Sequence, residues 1–232
     1  MNFLELTPRL KKIADLIPAG STIADIGTDH AYLPAYCVLN DICPKAFAMD
    51  VNEGPLKSAE NTVVTNGVSD KIELRLSDGI AKLEPGEADV IVIAGMGGLL
   101  IESILKAHPH VLREGTMLIL QPMLAQKELR EYLYSSDNAV TDEYLAVEGD
   151  KVYNIIVARA GCRNTPTEAD IVVGRNVKAN SPEWFTTYTD KLERVLNKII
   201  DGNRKSSNPD TEIIDRSEKE LEIIKSCKDR IL

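Results

Sequence analysis

Between Thr22 and Pro34 the chain reads TIADIGTDHAYLP: an apolar run, a glycine, then a polar turn that enters a helix. The run TIADI has the length of a buried strand. Gly27 breaks it and presents Asp29, His30 and Tyr32 ahead of a helical segment. A strand that ends in a glycine turn at a helix start is where an α/β protein holds a nucleotide-like ligand. A phosphate-cradling loop would read G-x-G-x-x-G, whereas Asp29 and Ala31 follow Gly27 here. A carboxylate in that loop would repel a pyrophosphate. The wording favours a ligand without phosphates over a dinucleotide.

Upstream, residues 3–17 carry Leu6, Leu10, Ile13 and Ile17 on one helical stripe, with Thr7 as N-cap, Pro8 as first helical residue, and Arg9, Lys11 and Lys12 on the outer face. Downstream of the opening stretch, a helix is predicted from about Ala31 to Asn40, then a strand KAFAMD ending at Asp50. Asp50 stands 23 residues past Gly27, close to the offset at which a carboxylate meets ribose hydroxyls in nucleotide-binding α/β folds. A helix from Pro55 to a stop at Gly67 follows, then a strand KIELRL running into Ser77-Asp78-Gly79. The next strand, ADVIVIAG, is apolar throughout, as a central parallel strand buried on both faces should be. It ends in Gly95-Met96-Gly97-Gly98 and leads to a helix from Leu99 to about Ala107. A further strand, GTMLIL, ends at Gln121-Pro122, and a helix spans about Ala125 to Ser135.

This alternation means a parallel, doubly wound sheet with right-handed crossovers. EYLAVEGDKVYNIIVARA breaks it, reading as two strands joined by a short turn at Glu148–Lys151. After Gly161, RNTPTEADIVVG reads as a linker or short strand, followed by helices from Pro182 to Ile200 and from Pro209 to Leu232. The first should bury Trp184 or Phe185 with Tyr188, Leu192, Val195, Leu196 and Ile199, and the second Ile213, Ile214, Leu221, Ile224 and Ile231. The pair should form an antiparallel helical hairpin, since a lone amphipathic helix is marginal in water. Two domains are expected: residues 1–161 and residues 162–232.

Composition narrows the function classes. The 232 residues carry a net charge of −9, all of it in residues 1–161, and 44% are apolar. An acidic chain argues mildly against a general nucleic-acid binder, unless its cations cluster locally. Lys191, Arg194, Lys198, Arg204 and Lys205 have spacings that could form such a stripe, or a solvated face balanced by neighbouring acids. No apolar run approaches the roughly 20 residues of a membrane span, and MNFLELTPRLKK lacks the apolar core of a secretory signal. Cys37, Cys43, Cys162 and Cys227 are scattered, as reduced thiols in a cytosol would be, and no metal site is expected from them or from His30, His108 and His110. A cytoplasmic protein is expected, with a monomer slightly favoured.

A parallel sheet closed by an antiparallel hairpin resembles the Rossmann-like, seven-stranded α/β fold of S-adenosylmethionine-dependent methyltransferases. The acidic strand ends suit that donor. Gly27 would let the backbone approach its methionine part, and Asp25 could hold its ammonium group. Asp50, with Val51 after it, would accept from the ribose hydroxyls. Asp78, beside Gly79, could accept from the adenine amine or cap the turn that follows. Gly95 lies at the same edge, within a glycine run longer than a turn needs. For His30, a substrate contact competes with a buried, hydrogen-bonded histidine.

DIGTDHAYLP, with IAGMGG after the central strand and LILQP further on, is similar to the bacterial TrmK family of tRNA (adenine-22-N1)-methyltransferases. The resemblance runs from the first helix to about Gly161, and the α-helical tail fits the family's coiled-coil-like C-terminal domain. It implies S-adenosyl-L-methionine as donor and an adenine of tRNA as acceptor. Adenine N1 has a free lone pair, so the reaction needs alignment more than a strong base. The methylated ring becomes cationic, which a nearby carboxylate would stabilise. Asp29 is the expected catalytic residue, with His30 and Tyr32 positioning or stacking the base. Met96, Gly97, Gly98, Gln121 and Pro122 would make room for the substrate. N1 lies on the pairing edge, so the base must be unpaired or flipped out. Two other readings fit the same residues: a methyltransferase of this fold acting on a small molecule or protein, and a non-catalytic cofactor-binding scaffold acting through its helical tail.

Overall fold

The strand VIVIAGM, Val90–Met96, sits at the middle of the sheet, and its first four residues are buried on both faces. The computed structural model describes residues 4–229. In chain order these form α1 (Pro8–Leu16), β1 (Ile23–Ile26), α2 (Tyr32–Leu39), β2 (Ala46–Asp50), α3 (Glu53–Thr65), β3 (Ile72–Leu76), β4 (Val90–Met96), α4 (Gly98–Ala107), β5 (Met117–Pro122) and α5 (Gln126–Ser135). A hairpin of β6 (Asn138–Glu148) and β7 (Lys151–Ala160) follows, then α6 (Glu168–Val172), β8 (Val177–Lys178), α7 (Pro182–Arg204) and α8 (Thr211–Asp229). The expected helix start at Phe3 and the expected Ile231 and Leu232 of the tail lie outside the described residues.

The sheet runs β3-β2-β1-β4-β5-β7-β6-β8. β1 to β5 are mutually parallel, and β7 enters antiparallel against β5, with Leu120 opposite Ile156. Between β1 and β4 the strand order reverses, so a crevice opens at the carboxyl end of the sheet between those two strands. Alternation along the strands divides the core. Ile23, Ala48, Val92 and Ile119 pack under α1, α2 and α3, while Ala24, Met49, Ile93 and Leu120 pack under α4 and α5. Asp25 and Gln121 share the first of these faces, the one that α1 covers.

The expected seven strands are present as β1 to β7, and a two-residue eighth, β8, pairs parallel with β6 through Glu143 and Tyr144. The segment read as a linker or short strand, residues 163–174, holds no strand and instead carries the short helix α6. Thr167 and Asp170 close a reciprocal capping box there: each side chain accepts from the other residue's backbone N–H, at 3.1 and 2.9 Å.

One buried cation ties the tail to the sheet. Arg130 of α5 donates from Nε and Nη2 to the Glu143 carboxylate of β6, at 2.9 and 2.8 Å. It also donates to the Tyr188 hydroxyl of α7 at 2.8 Å and to the Val173 carbonyl at 3.0 Å. Asn154 of β7 and the Arg175 backbone N–H complete the carboxylate's partners. Removing water from two such ions costs several kcal/mol each, and this geometry offsets it because both groups are hydrogen-bonded throughout. α8 runs back along α7, with Arg204 paired to Glu218 at one end and Lys228 to Asp190 and Glu193 at the other. Phe185, Tyr188 and Ile224 are buried between the tail and the sheet. Val195 and Ile199, expected inside, are 51% and 39% exposed, because α8 and the sheet together cover a narrower stripe than α7 presents.

Candidate active site

The expected ligand-facing residues come together along the carboxyl edge of the parallel strands. Gly27 and Thr28 both donate to the Met49 carbonyl, at 2.8 and 3.0 Å, which locks the end of β1 beside the end of β2. That places Asp50 next to the glycine turn. Its Oδ1 accepts from the Asn52 N–H at 2.8 Å, while Val51 beside it is exposed. Gly27 has φ +75°, and a Cβ there would stand 2.1 Å from Cε of Met96. The glycine therefore meets both a left-handed turn and a close approach.

Asp25 lies half-buried below that turn. Burial pushes its carboxyl up to about 6, and the nearby Asp50 adds to the rise, while the Thr28 hydrogen bond and Arg9 oppose it. Arg9 is a residue that the sequence reading put on an outer face. It points inward instead: Nη1 donates at 2.8 Å to Oε1 of the buried Gln121, and its guanidinium lies 5.5 Å from the Tyr153 ring centre. The same Gln121 oxygen accepts from the Gly95 N–H at 3.1 Å. Gly95, φ +81°, sits at the register shift between β4 and β5. Arg9 stands four residues before the buried Ile13, on the flank of the apolar stripe, and that spacing was the signal for it.

Asp78 resolves differently from the capping alternative. The Ser77 hydroxyl holds the turn, donating to the Gly79 carbonyl at 3.0 Å and accepting from the Lys82 N–H at 3.2 Å. Among the described residues the Asp78 carboxylate takes no hydrogen bond, and it is exposed. Gly79 has φ +55°, and a Cβ on it would strike Ile104.

Past the turn, Ala31 adopts φ +53° at the head of α2, its N–H donating to the buried Thr28 hydroxyl at 3.2 Å. The kink turns Asp29, His30 and Tyr32 outward. The Asp29 side chain is 80% exposed, with His30 Nε2 3.5 Å from its Oδ2. His30 lies parallel on Tyr32, ring centres 5.0 Å apart and planes 8° off. The alternative of a buried, hydrogen-bonded His30 is thus excluded: its side chain is 41% exposed. Opposite this group, Met96 accepts from the Met123 N–H at 2.8 Å and Gly98 donates to the Leu124 carbonyl at 2.8 Å, joining the β4 and β5 ends. A Cβ on Gly98 would come within 2.2 Å of the Ala125 carbonyl oxygen. Gly97 and Pro122 stand in the same two turns. No cluster of histidine, cysteine or acidic residues suited to a metal occurs among the described residues, His108 and His110 included. Among them, too, no helix is long and apolar enough to cross a membrane.

The edge offers an acid and a guanidinium on the floor, a second carboxylate beside the glycine turn, an exposed carboxylate beyond β3, and an exposed acid–aromatic group at the rim. An amino-acid end carrying both charges, a ribose and an amine-bearing base fit that order. Fold and edge together define a methyltransferase, and residues 6–156 match the methyltransferase domain family. The chain belongs to the TrmK family of tRNA (adenine-22-N1)-methyltransferases. It is 44% identical over 164 residues to the tRNA (adenine(22)-N(1))-methyltransferase of Bacillus subtilis strain 168, covering 71% of this chain and 69% of that protein. The crystal structure of the B. subtilis M1A22 tRNA methyltransferase TrmK superposes with a TM-score of 0.85 at 33% identity, over 97% of this chain and 100% of that one. A Streptococcus pneumoniae protein solved in complex with S-adenosyl-L-methionine gives 0.81 at 30% identity, over 97% and 100%.

Proposed function

We propose that this chain transfers a methyl group from S-adenosyl-L-methionine to N1 of adenine 22 of tRNA, in the cytoplasm. The observation that carries the reading is the row of acids and glycines along one sheet edge, in a chain closely related to the Bacillus subtilis enzyme named for that reaction. When bound, the donor supplies an electrophilic methyl group on a sulfonium. Asp25 accepts from the donor's ammonium group, and Arg9, oriented by Gln121, faces its carboxylate. Asp50 accepts from the ribose hydroxyls, Asp78 from the adenine amine, and Gly27, Val51, Gly79 and Gly95 give the backbone its close approach.

Asp29 faces the acceptor. It need not be a strong base: N1 would attack through its own lone pair, and positive charge would pass from the sulfonium to the ring as the N–C bond forms and the S–C bond breaks, leaving a neutral thioether. An exposed carboxylate at the rim stabilises that charge, while the His30–Tyr32 stack offers a flat face for a base turned out of its helix. Met96, Gly97, Gly98, Gln121 and Pro122 shape the opposing wall. Residues 1–161 hold the donor, and residues 162–232 form a second, helical unit. The decisive experiment incubates the protein with methyl-labelled donor and unmodified tRNA and maps the labelled nucleoside. Label on N1 of adenine 22 is the expected result. Label that stays out of tRNA, or reaches another atom, overturns the proposal.

A further inference from the structure

A cleft of about 710 Å³ opens between the tip of the β6–β7 hairpin, the start of α5 and the inner faces of α7 and α8. Pro122 and Met123, at the end of β5, line its mouth, so it runs directly out of the catalytic edge. Its rim carries Lys151, Lys191, Arg194 and Arg216, none paired with an acid among the described residues. Lys127 pairs with Glu220 on α8, so Glu128 and Asp150 are the lining acids without an ion pair among the described residues. In a chain of net charge −9, this is a local reversal of sign. The wall is apolar, with Tyr153 and Leu192 beside Val195 and Ile199, two exposed apolar side chains of α7.

We infer that this cleft holds the strand of the substrate tRNA next to the target adenine, with phosphates on the rim cations and unstacked bases against the apolar wall. The inference rests on tRNA being the acceptor. The charge pattern argues for a polyanion, since isolated lysines and arginines gain little from each other and much from phosphates. The apolar wall, with Tyr153 in it, argues against a regular duplex, whose bases are buried, and for nucleotides already looped out, whose faces are open to stacking and apolar contact. Continuity with the catalytic edge fixes which nucleotides these are. A base extruded toward Asp29 drags its neighbours out of the stack, and the cleft receives them. Binding that strand also offsets the cost of unstacking, which places the tail in control of base presentation rather than of methyl transfer.

The test uses the full chain with unmodified tRNA. The triple variant Lys191→Glu, Arg194→Glu, Arg216→Glu should raise KM for tRNA at least tenfold. Donor affinity and kcat at saturating tRNA should stay within about threefold. The slope of log affinity against log salt should become shallower by about two, since each lost phosphate contact removes about 0.7–0.9. A matched control, Lys198→Glu, Lys205→Glu, Lys225→Glu, changes the same charge on residues outside the cleft and should leave KM within twofold. Val195→Ser with Ile199→Ser should raise KM several-fold at an unchanged salt slope. Unchanged KM and slope in the first variant, or an equal loss in the control, overturns the inference. So does sedimentation showing a second copy of the chain in the cleft. Direct filter binding reads these outcomes even if no methyl transfer is seen, so failure of the enzymatic reading is recorded separately.

Discussion

Asp25 is held at a carboxyl value of about 6, raised chiefly by burial, and the sign of its effect follows from that. In the ligand-free fold the neutral acid is favoured, so its contribution to stability is present below the ordinary carboxylate range and is lost as pH climbs through about 6. Measured by denaturant titration, Asp25→Asn should therefore gain on the wild type by about 2–3 kcal/mol between pH 4 and pH 7. An ammonium partner needs the ionised form, so donor affinity should move the other way. It should be about tenfold weaker at pH 5 than at pH 7.5, with the dependence flattened in Asp25→Asn. A wild-type affinity that stays level across that range would separate Asp25 from the ammonium. Asp29 is a different kind of acid, exposed, and among the described residues its carboxylate is paired with His30 alone. Asp29→Ala should lower kcat by about 10²–10³-fold, the loss typical of one group aimed at developing charge, with donor affinity kept within about threefold. Turnover at the wild-type rate would remove Asp29 from the chemistry.

At the scale of elements, the strands of the parallel half were legible because each is a short apolar run closed by a turn residue, and Gly27, Asp50, Asp78 and Gly95 mark four of those ends. The hairpin was legible because Gly149 and Asp150 interrupt two alternating runs. β8 was not, since two residues carry no period, and their strand geometry comes from Glu143 and Tyr144 on β6. α6 could have been found from its Thr167–Asp170 box, but five residues among breakers look like a linker. The exposure of Val195 and Ile199 depends on how much of α7 its neighbours cover, which no local pattern states. The candidate site divides the same way. Its carboxylates announce themselves at strand ends, whereas Arg9 joins it only because α1 packs over the face that Asp25 and Gln121 share. The contact between α4 and α5 gives a prediction at this scale. Gly98→Ala places a methyl against the Ala125 carbonyl, so the two helix starts must part. Overpacking of this kind costs about 1–3 kcal/mol, read as a lowered unfolding midpoint, and KM for tRNA should rise with it.

Over the whole molecule, the excess negative charge lies in residues 1–161, while residues 162–232 balance to zero and contribute three of the four rim cations of the cleft. Residues 1–161 alone thus carry the wrong sign of charge for a polyanion, and the cations proposed to hold the tRNA strand come mostly from the tail. The tail does not hang free. Arg130 takes four of its partners, the Ile171, Val172 and Val173 carbonyls and the Tyr188 hydroxyl, from beyond Gly161, and the Glu143 carboxylate takes the Arg175 N–H. A chain ended at Gly161 would leave a buried cation short of acceptors and uncover Leu145 and Val152, which pack against the tail. Removing one partner from a buried ion pair costs about 3–5 kcal/mol, so losing several hydrogen bonds and an apolar face together should remove much of the 5–15 kcal/mol that holds a domain folded. Thermal unfolding of residues 1–161 should therefore begin well below that of the full chain, or no cooperative transition should be seen. Donor added at saturation should recover only part of the difference, because the damage lies on the far side of β5 from Asp25 and Asp50. A truncated chain with the full chain's midpoint and tRNA affinity would show that the tail serves neither folding nor substrate.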